Sequence, residues 1–309
     1  MEARPVGQYS RRNQEGAINM GAIGEQAALL QRQWETDPRW AGITRDYSAQ
    51  DVIRLRGTAA GEHGLARRRA SRLWDLLQAR DAAPTPGAVA GDHAIGVAEA
   101  GLDAFELTTA AIEAGAAGLC FEDLLPSGRA NGPAARRVLV PTGQHIETLT
   151  AARLAADVLG VPSLIIARTG AHAASELASD ADERDHEFLT GERTAEGFHR
   201  VEPGWYACVT RELAFAPYAD VLWLQTPAPD LAVARAFACV IHSQYPDKPL
   251  AYSCARRAHQ SGASIAEFRQ QLAAMGYRFQ PATPAGSPAA GESTSELEGR
   301  PRDGAPAYA

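Results

Sequence analysis

The sequence lacks the features that would suit it to a nucleic acid, an oxidising compartment or a bilayer. It has no basic stripe of the kind that tracks a phosphate backbone: 30 Lys and Arg are interspersed with 37 Asp and Glu, for a formal charge of −7. It has no CxxC pair. Its four cysteines, Cys120, Cys208, Cys239 and Cys254, stand singly in apolar surroundings. They read as buried, reduced thiols, with a disulfide or a zinc site as the alternatives. No apolar run approaches the ~20 residues of a membrane span. The polar start "MEARPVGQYSRRNQEGAINMG" has no apolar segment of the secretory type. The expectation is a cytoplasmic protein with no nucleic-acid and no membrane partner.

What is present fits one large α/β unit with appendages, since 45% of 309 residues are hydrophobic. Residues 1–22 are polar and are expected to be disordered. Residues 23–79 form an N-terminal helical segment, with helices expected at 24–36 and about 59–79. Ser48, three residues before Asp51, approximates a capping box. Leu73, Leu76 and Leu77 are the expected apolar contact of the second helix, and its "RRR" run reads as a solvated face. Residues 80–93 are a Pro/Gly/Ala linker.

From 94 to 283 strands and helices alternate. Strands are expected at 94–99, 117–122, 162–168, 219–226, 249–254 and 277–283, and their continuous apolar character suits parallel strands buried on both faces. Helices are expected at 103–114 and 145–159, each ending at a capping glycine, Gly115 or Gly160. A third, 230–243, aligns Leu231, Ala234, Ala238 and Ile241. A fourth, 265–275, has a Ser264/Glu267 capping box and Phe268, Leu272 and Met275 on one face. The tail, 284–309, is rich in Pro, Gly, Ala, Ser and Glu and is expected to be disordered. Repeated βα units point to a TIM-type barrel or a doubly wound sheet. Six strands fall short of the eight of a complete barrel.

"LIIARTGAHAASELASDADERDHEFLTGERTAEGF" (164–198) closely resembles the segment after the fifth barrel strand of isocitrate lyases, whose SDxDExDxxFxTGERTxEGF run is almost entire here. "PRWAGITRDYSAQDVIRLRGT" (38–58), "AFELTTAAIEAGAAGLCFED" (104–123), "RVLVPTGQHI" (137–146), "APYADVLWLQTPAPDL" (216–231) and "YPDKPLAYSC" (245–254) resemble the same family in the same order. The resemblance covers roughly residues 25–283. It implies a (β/α)8 barrel, a tetramer, and magnesium as cofactor. It also implies cleavage of isocitrate to succinate and glyoxylate in the glyoxylate shunt. In that retro-aldol reaction the metal polarises the glyoxylate-forming end, a cysteine thiolate exchanges a proton at the succinate carbon, and cationic and polar side chains hold the carboxylates.

Carried over residue by residue, the resemblance leaves no catalytic group intact. Counting from Glu122, the family cysteine position falls on Asn131, which cannot serve as a thiolate base. Pro133 stands at the histidine position, and Arg129 and Ala130 at the lysines. In "GVAEAG" (96–101) Val97 stands at the metal-contacting aspartate. Glu99 and Glu122 remain as acids that hold metal-bound water, so magnesium is expected to bind weakly. The implied substrate-binding residues are Arg168, Ser253 and Thr283. Gly170 replaces an aspartate, Gln225 a glutamate, and Ser253, Ala255 and Arg257 three polar carboxylate binders. The first two strand–helix units have no counterpart beyond the linker.

Each of these residues also has a plain structural role. Glu122 and Asp123 read as a polar cluster, and Arg168 as the ion-pair partner of Glu99 or Glu122. His145 reads as a structural histidine, "TGERT" (190–194) as a loop-shaping element, and Asn131-Gly132 as a turn. Cys120 or Cys254 is the alternative nucleophile. The expectation is an incomplete barrel with an impaired or inactive site. Three alternatives remain: an active C–C lyase on isocitrate or another small dicarboxylate, a non-catalytic partner of a full-length lyase in a homo- or hetero-oligomer, and the product of a decaying gene.

Overall fold

A computed structural model of the chain describes residues 23–56, 62–79, 95–99, 103–125, 137–254 and 262–279; at 95–99 and 262–265 it describes the backbone. Expectations for the two termini, the linker 80–93, Asn131 and Thr283 lie outside the described residues.

Helix α1 spans 23–36. Helix α2 (Ala49–Arg56) starts at the expected box: Asp51 Oδ2 accepts from Ser48 N at 3.0 Å, and Ser48 Oγ accepts from Asp51 N at 3.2 Å. Helix α3 (Gly64–Gln78) begins later than expected and buries Ala66, Ala70, Leu73 and Leu77, whereas Leu76 is exposed. The buried set recurs at intervals of four, three and four residues, which is one helical stripe, and Leu76 falls off it.

The six expected strands all form. They are β1 (Ile95–Glu99), β2 (Gly118–Glu122), β4 (Leu164–Arg168), β8 (Val221–Thr226), β9 (Leu250–Cys254) and β10 (Tyr277–Phe279). They make one parallel sheet in the order β1-β2-β4-β8-β9-β10. Each crossover carries a helix: α4 (Ala104–Glu113), α5 (Thr142–Val158), α6 (Trp205–Phe215), α7 (Leu231–Gln244) and α8 (Gly262–Ala274). Among the described residues β1 and β10 are the unpaired edges, so the barrel is open. Gly115 and Gly160 adopt φ of 85° and 64° past α4 and α5, as their capping role requires. Helix α8 starts two residues before Ser264, which therefore lies inside the helix and not at its cap.

Alternation along the strands divides the core in two. Leu119, Phe121, Ile165, Leu222, Leu224 and Tyr252 pack against α5, α6 and α7. Cys120, Leu164, Ile166, Val221, Trp223, Ala251 and Phe279 form a second cluster with the α3 stripe. Helix α3 meets this cluster near the start of the strands, where Arg69 Nη1 donates to the Gly115 carbonyl at 2.9 Å shortly before β2. Burial of Leu73 and Leu77 there stabilises the arrangement by ~1.5–3 kcal/mol each.

A second sheet was not expected from the sequence. Strands β3 (Val138–Leu139), β5 (Glu176–Leu177), β6 (Leu189–Arg193) and β7 (His199–Val201) assemble in the order β3-β5-β7-β6. "TGERT", expected to shape a loop, supplies most of β6. Leu124 and Ala171, which follow β2 and β4, join Leu139, Leu177, Phe188 and Val201 in its core, so the small sheet sits by the C-terminal ends of these strands.

Helix α5 begins at Thr142, three residues before the expected start. The reason lies far along the chain. Asp185 accepts from Thr142 N (2.8 Å) and Thr142 Oγ1 (2.6 Å), and Asp182 accepts from Gly143 N (2.6 Å). Carboxylates of the "SDADERD" run therefore satisfy the orphan amides of the first turn and complement the helix dipole.

Candidate functional site

Parallel pairing lines up the candidate residues at the C-terminal ends of the strands. Glu99 pairs with Glu122, Glu122 with Arg168, Arg168 with Trp223, Trp223 with Ala251, and Ala251 with Phe279. The sequence-derived residues Glu99, Glu122 and Arg168 therefore share one row, while Ser253 lies further along β9.

The side chains of Glu122 and Arg168 are committed to one another. Arg168 Nη2 donates to Glu122 Oε2 at 2.5 Å, and both residues are buried. Burial opposes the charge on Arg168, but Glu122 outweighs it and holds the guanidinium more firmly protonated than usual. The guanidinium lies 5.4 Å from the centre of the Trp223 ring, a cation–π distance. Trp223 Nε1 donates to Ser253 Oγ at 2.9 Å, and the ring meets Phe279 edge-on at 5.5 Å. Trp223 was read from sequence only as part of a strand, yet it joins Arg168 to Ser253.

Asp123 belongs to a separate buried network. It accepts from Thr169 Oγ1 (2.6 Å), Gly170 N (2.7 Å) and Arg211 Nε (2.8 Å). Arg211 also bonds Asp185 (2.6 Å) and the Val140 carbonyl, which ties the sheet, helix α6 and the small sheet together. Asp123 is thus a fully satisfied structural acid. Arg211 carries no local signal in the sequence, since its partners lie 26 and 88 residues away.

Two buried groups stand behind this row. Glu212 is fully buried; burial and the neighbouring Asp123 push its carboxyl well above the ordinary range, and one oxygen accepts from Thr169 N at 3.2 Å. His145 is fully buried against Phe215, with ring centres 4.6 Å apart, and burial lowers its pKa to about 4. It is a neutral structural histidine.

The cysteines offer no reactive thiol here. Cys120 sits in the middle of β2, not at its end, and burial pushes its thiol up to about 12. Cys254 ends β9, half-buried, with its pKa also raised by burial. Thiolate is the reacting form, so both are poor nucleophiles. Cys208 is buried, and Cys239 is exposed, contrary to the expectation that all four are buried. No disulfide joins them.

The described residues do not fit magnesium. A hard dication needs several converging oxygens, whereas the Glu122 carboxylate is taken by Arg168 and the family's aspartate position holds Val97. Among the described residues no three His, Cys, Asp or Glu side chains converge as a cation site. At Gly170, where the family carries an aspartate, an added Cβ would lie 2.7 Å from Leu124 Cδ2, so the neighbourhood has closed around the glycine.

Comparison with known proteins shows the family. The isocitrate lyase family model matches residues 88–193 and 190–297. Isocitrate lyase from Mycobacterium tuberculosis strain H37Rv is 37% identical, covering 86% of this chain and 82% of that protein. The Escherichia coli K12 isocitrate lyase is 38% identical, covering 85% and 80%. Both alignments run over 350 positions, more than the 309 residues of this chain, so the relatives carry segments it lacks. Among solved structures, oxaloacetate acetylhydrolase with bound oxalate superposes with a TM-score of 0.40 at 17% identity, covering 70% of this chain and 58% of that one. No helix among the described residues is long and apolar enough to cross a membrane. With the family model spanning most of the chain and curated relatives above 30% identity over most of its length, the chain belongs to the isocitrate lyase family.

Proposed function

We propose that this family member no longer cleaves isocitrate at a useful rate. The observation that carries the reading is the Arg168–Glu122 pair: the acid that would face a metal-bound water and the arginine that would grip a substrate carboxylate are engaged with each other. Asn131 stands at the thiolate position by resemblance. Losing a proton-transfer group costs typically ~10²–10⁴-fold, and losing the metal removes several kcal/mol more of charge stabilisation. A cytoplasmic setting belongs to the same reading, supported by four thiols with no disulfide among them.

The test is an assay of the purified chain with isocitrate and methylisocitrate, with and without magnesium, trapping glyoxylate or pyruvate as the phenylhydrazone. No product above the blank is expected. Turnover that disappears in Arg168→Ala would overturn the reading and establish an active lyase on a small dicarboxylate.

A second reading is favoured by the two open sheet edges, β1 and β10. Unpaired parallel edges favour association, so the chain is also proposed to assemble with a second copy or with a full-length lyase. Co-expression with a full-length relative, followed by size-exclusion chromatography, tests this; elution of this chain only as a monomer speaks against it.

A further inference from the structure

Residues 23–56 have an apolar core of their own. Ala27, Ala49 and Ile53 are buried there and pack with Ile23, Leu30 and Trp34. None of the three larger apolar clusters draws a residue from this segment; its Trp40 and Val52 are buried but belong to no cluster. Polar groups join the segment to the sheet and its helices. Asp157, near the end of α5, accepts from Arg45 Nε (2.7 Å), Arg45 Nη2 (3.4 Å) and the Tyr47 hydroxyl (2.7 Å). Arg39 Nη1 donates to Asp220 at 2.6 Å, and Thr44 N to the Pro217 carbonyl at 2.7 Å. Arg56 donates to the carbonyls of Asp157 and Val158 at 2.7 and 2.9 Å. The Arg39 guanidinium lies 3.9 Å from the centre of the Trp74 ring of α3, and that of Arg153 lies 5.4 Å from Trp40. Asp157 and Val158 precede β4, and Pro217 and Asp220 precede β8, so these anchors lie at the end of the sheet opposite the Arg168 row.

We propose that residues 23–56 form a strap that opens and recloses as one unit while the six-stranded sheet stays folded. The reason is energetic. Apolar burial is the dominant favourable contribution to folding, and the cluster that α1 and α2 share is kept when the strap lifts. The buried ion pairs hold less firmly, because their attraction must first offset the removal of both charges from water. Arg39 Nε and Nη2 are buried without a partner, which weakens the anchor further. Segments held in this way open at a lower free energy than the core. Opening uncovers Asp157, Asp220 and the Trp74 ring, a surface of acids and an aromatic ring that fits arginine side chains. Its occupants in the closed state are the strap's own Arg39 and Arg45. The strap is independent of the Arg168 row and of whether that row retains activity.

Hydrogen exchange of the full chain tests this, followed by peptide mass at neutral pH over a series of urea concentrations below the unfolding transition. The slowest amides of α1 and α2 are expected to share one urea dependence, shallower than that of β4. Exchange of α2 should exceed that of β4 by roughly a hundredfold or more. Asp157→Asn, which removes the carboxylate that holds Arg45 and Tyr47, should speed exchange of α2 by about tenfold or more. Leu224→Ala, in the core of the sheet, should speed exchange of β4 by about thirtyfold or more and leave α2 unchanged. Ile241→Val, in the same core, gives this contrast at smaller amplitude where Leu224→Ala does not fold. Faster exchange of both regions in the core variant means that strap and sheet unfold together, and α2 exchange that ignores urea means simple fraying. Either result overturns the proposal, as does unchanged α2 exchange in Asp157→Asn.

Discussion

Arg168 and Glu122 face each other from adjacent parallel strands, their Cα atoms paired in register and Nη2 2.5 Å from Oε2. Register alone brings the two residues side by side, and burial makes the pair energetically consequential. Removing one partner leaves an uncompensated charge in a poorly solvated place. Arg168→Ala is therefore expected to destabilise the protein by about 3–5 kcal/mol, read as a shift in the urea midpoint at constant m-value. The double variant Arg168→Met/Glu122→Leu should recover most of that loss. Equal stability of Arg168→Ala and the parent would show that the pair is solvated.

His145 should make the fold sensitive to mild acid. Its pKa is lowered to about 4 by burial, whereas in the unfolded chain it is about 6.5. Above that unfolded value its contribution is complete; as pH falls from 6.5 towards 4 the unfolded state gains a proton that the folded state refuses. Stability is expected to fall by on the order of 3 kcal/mol across this window. His145→Asn should flatten the slope there, and chemical-shift titration of the ring should show no protonation at pH 6.

Asp220 acts in the same sense, in a lower pH window. It is fully buried before β8, bonded by Arg39 Nη1 at 2.6 Å, by Arg153 and by Ile165 N at 2.7 Å. Burial would raise its pKa, but Arg153 and Arg39 outweigh burial and hold the carboxyl below the ordinary range. Its stabilisation is present above the unfolded carboxylate value of about 4 and is lost as pH falls through the folded value. Asp220→Asn is expected to cost about 3–5 kcal/mol at pH 7 and to make the remaining stability less steep below pH 4. An unaltered acid limb in thermal scans would refute this.

Gly118 permits two central strands to approach. A Cβ at this position would fall against the Leu164 carbonyl oxygen and 2.9 Å from Leu164 Cβ. Its obstacle is the backbone of the neighbouring strand, so Gly118→Ala is expected to destabilise by roughly 1–3 kcal/mol despite the small change in volume. A urea midpoint equal to that of the parent would mean that β2 and β4 can separate without penalty.

The small sheet and the early start of α5 show where local pattern ran out. Strands such as Val138–Leu139 and Glu176–Leu177 are two residues long, too short to display a period. Helix α6, which carries Arg211 and Glu212, was not anticipated either. Its partners Asp123, Asp185 and Thr169 come from three other segments, and nothing near residue 211 announces them. The "SDADERD" run was legible as a family signature, while its work as a distant cap for α5 was not.

The sequence by itself determined the six parallel strands, because continuous apolar runs punctuated by glycine allow few other outcomes, and it determined the family through the long run at 164–198. Only the tertiary structure decided that Arg168 is bound to Glu122 instead of facing solvent, that α3 packs near the start of the strands, and that Asp123 is a satisfied strut. Each of these depends on which strands stand side by side and which face is turned inward. Local propensity and spacing carry no record of such pairings between residues dozens of positions apart.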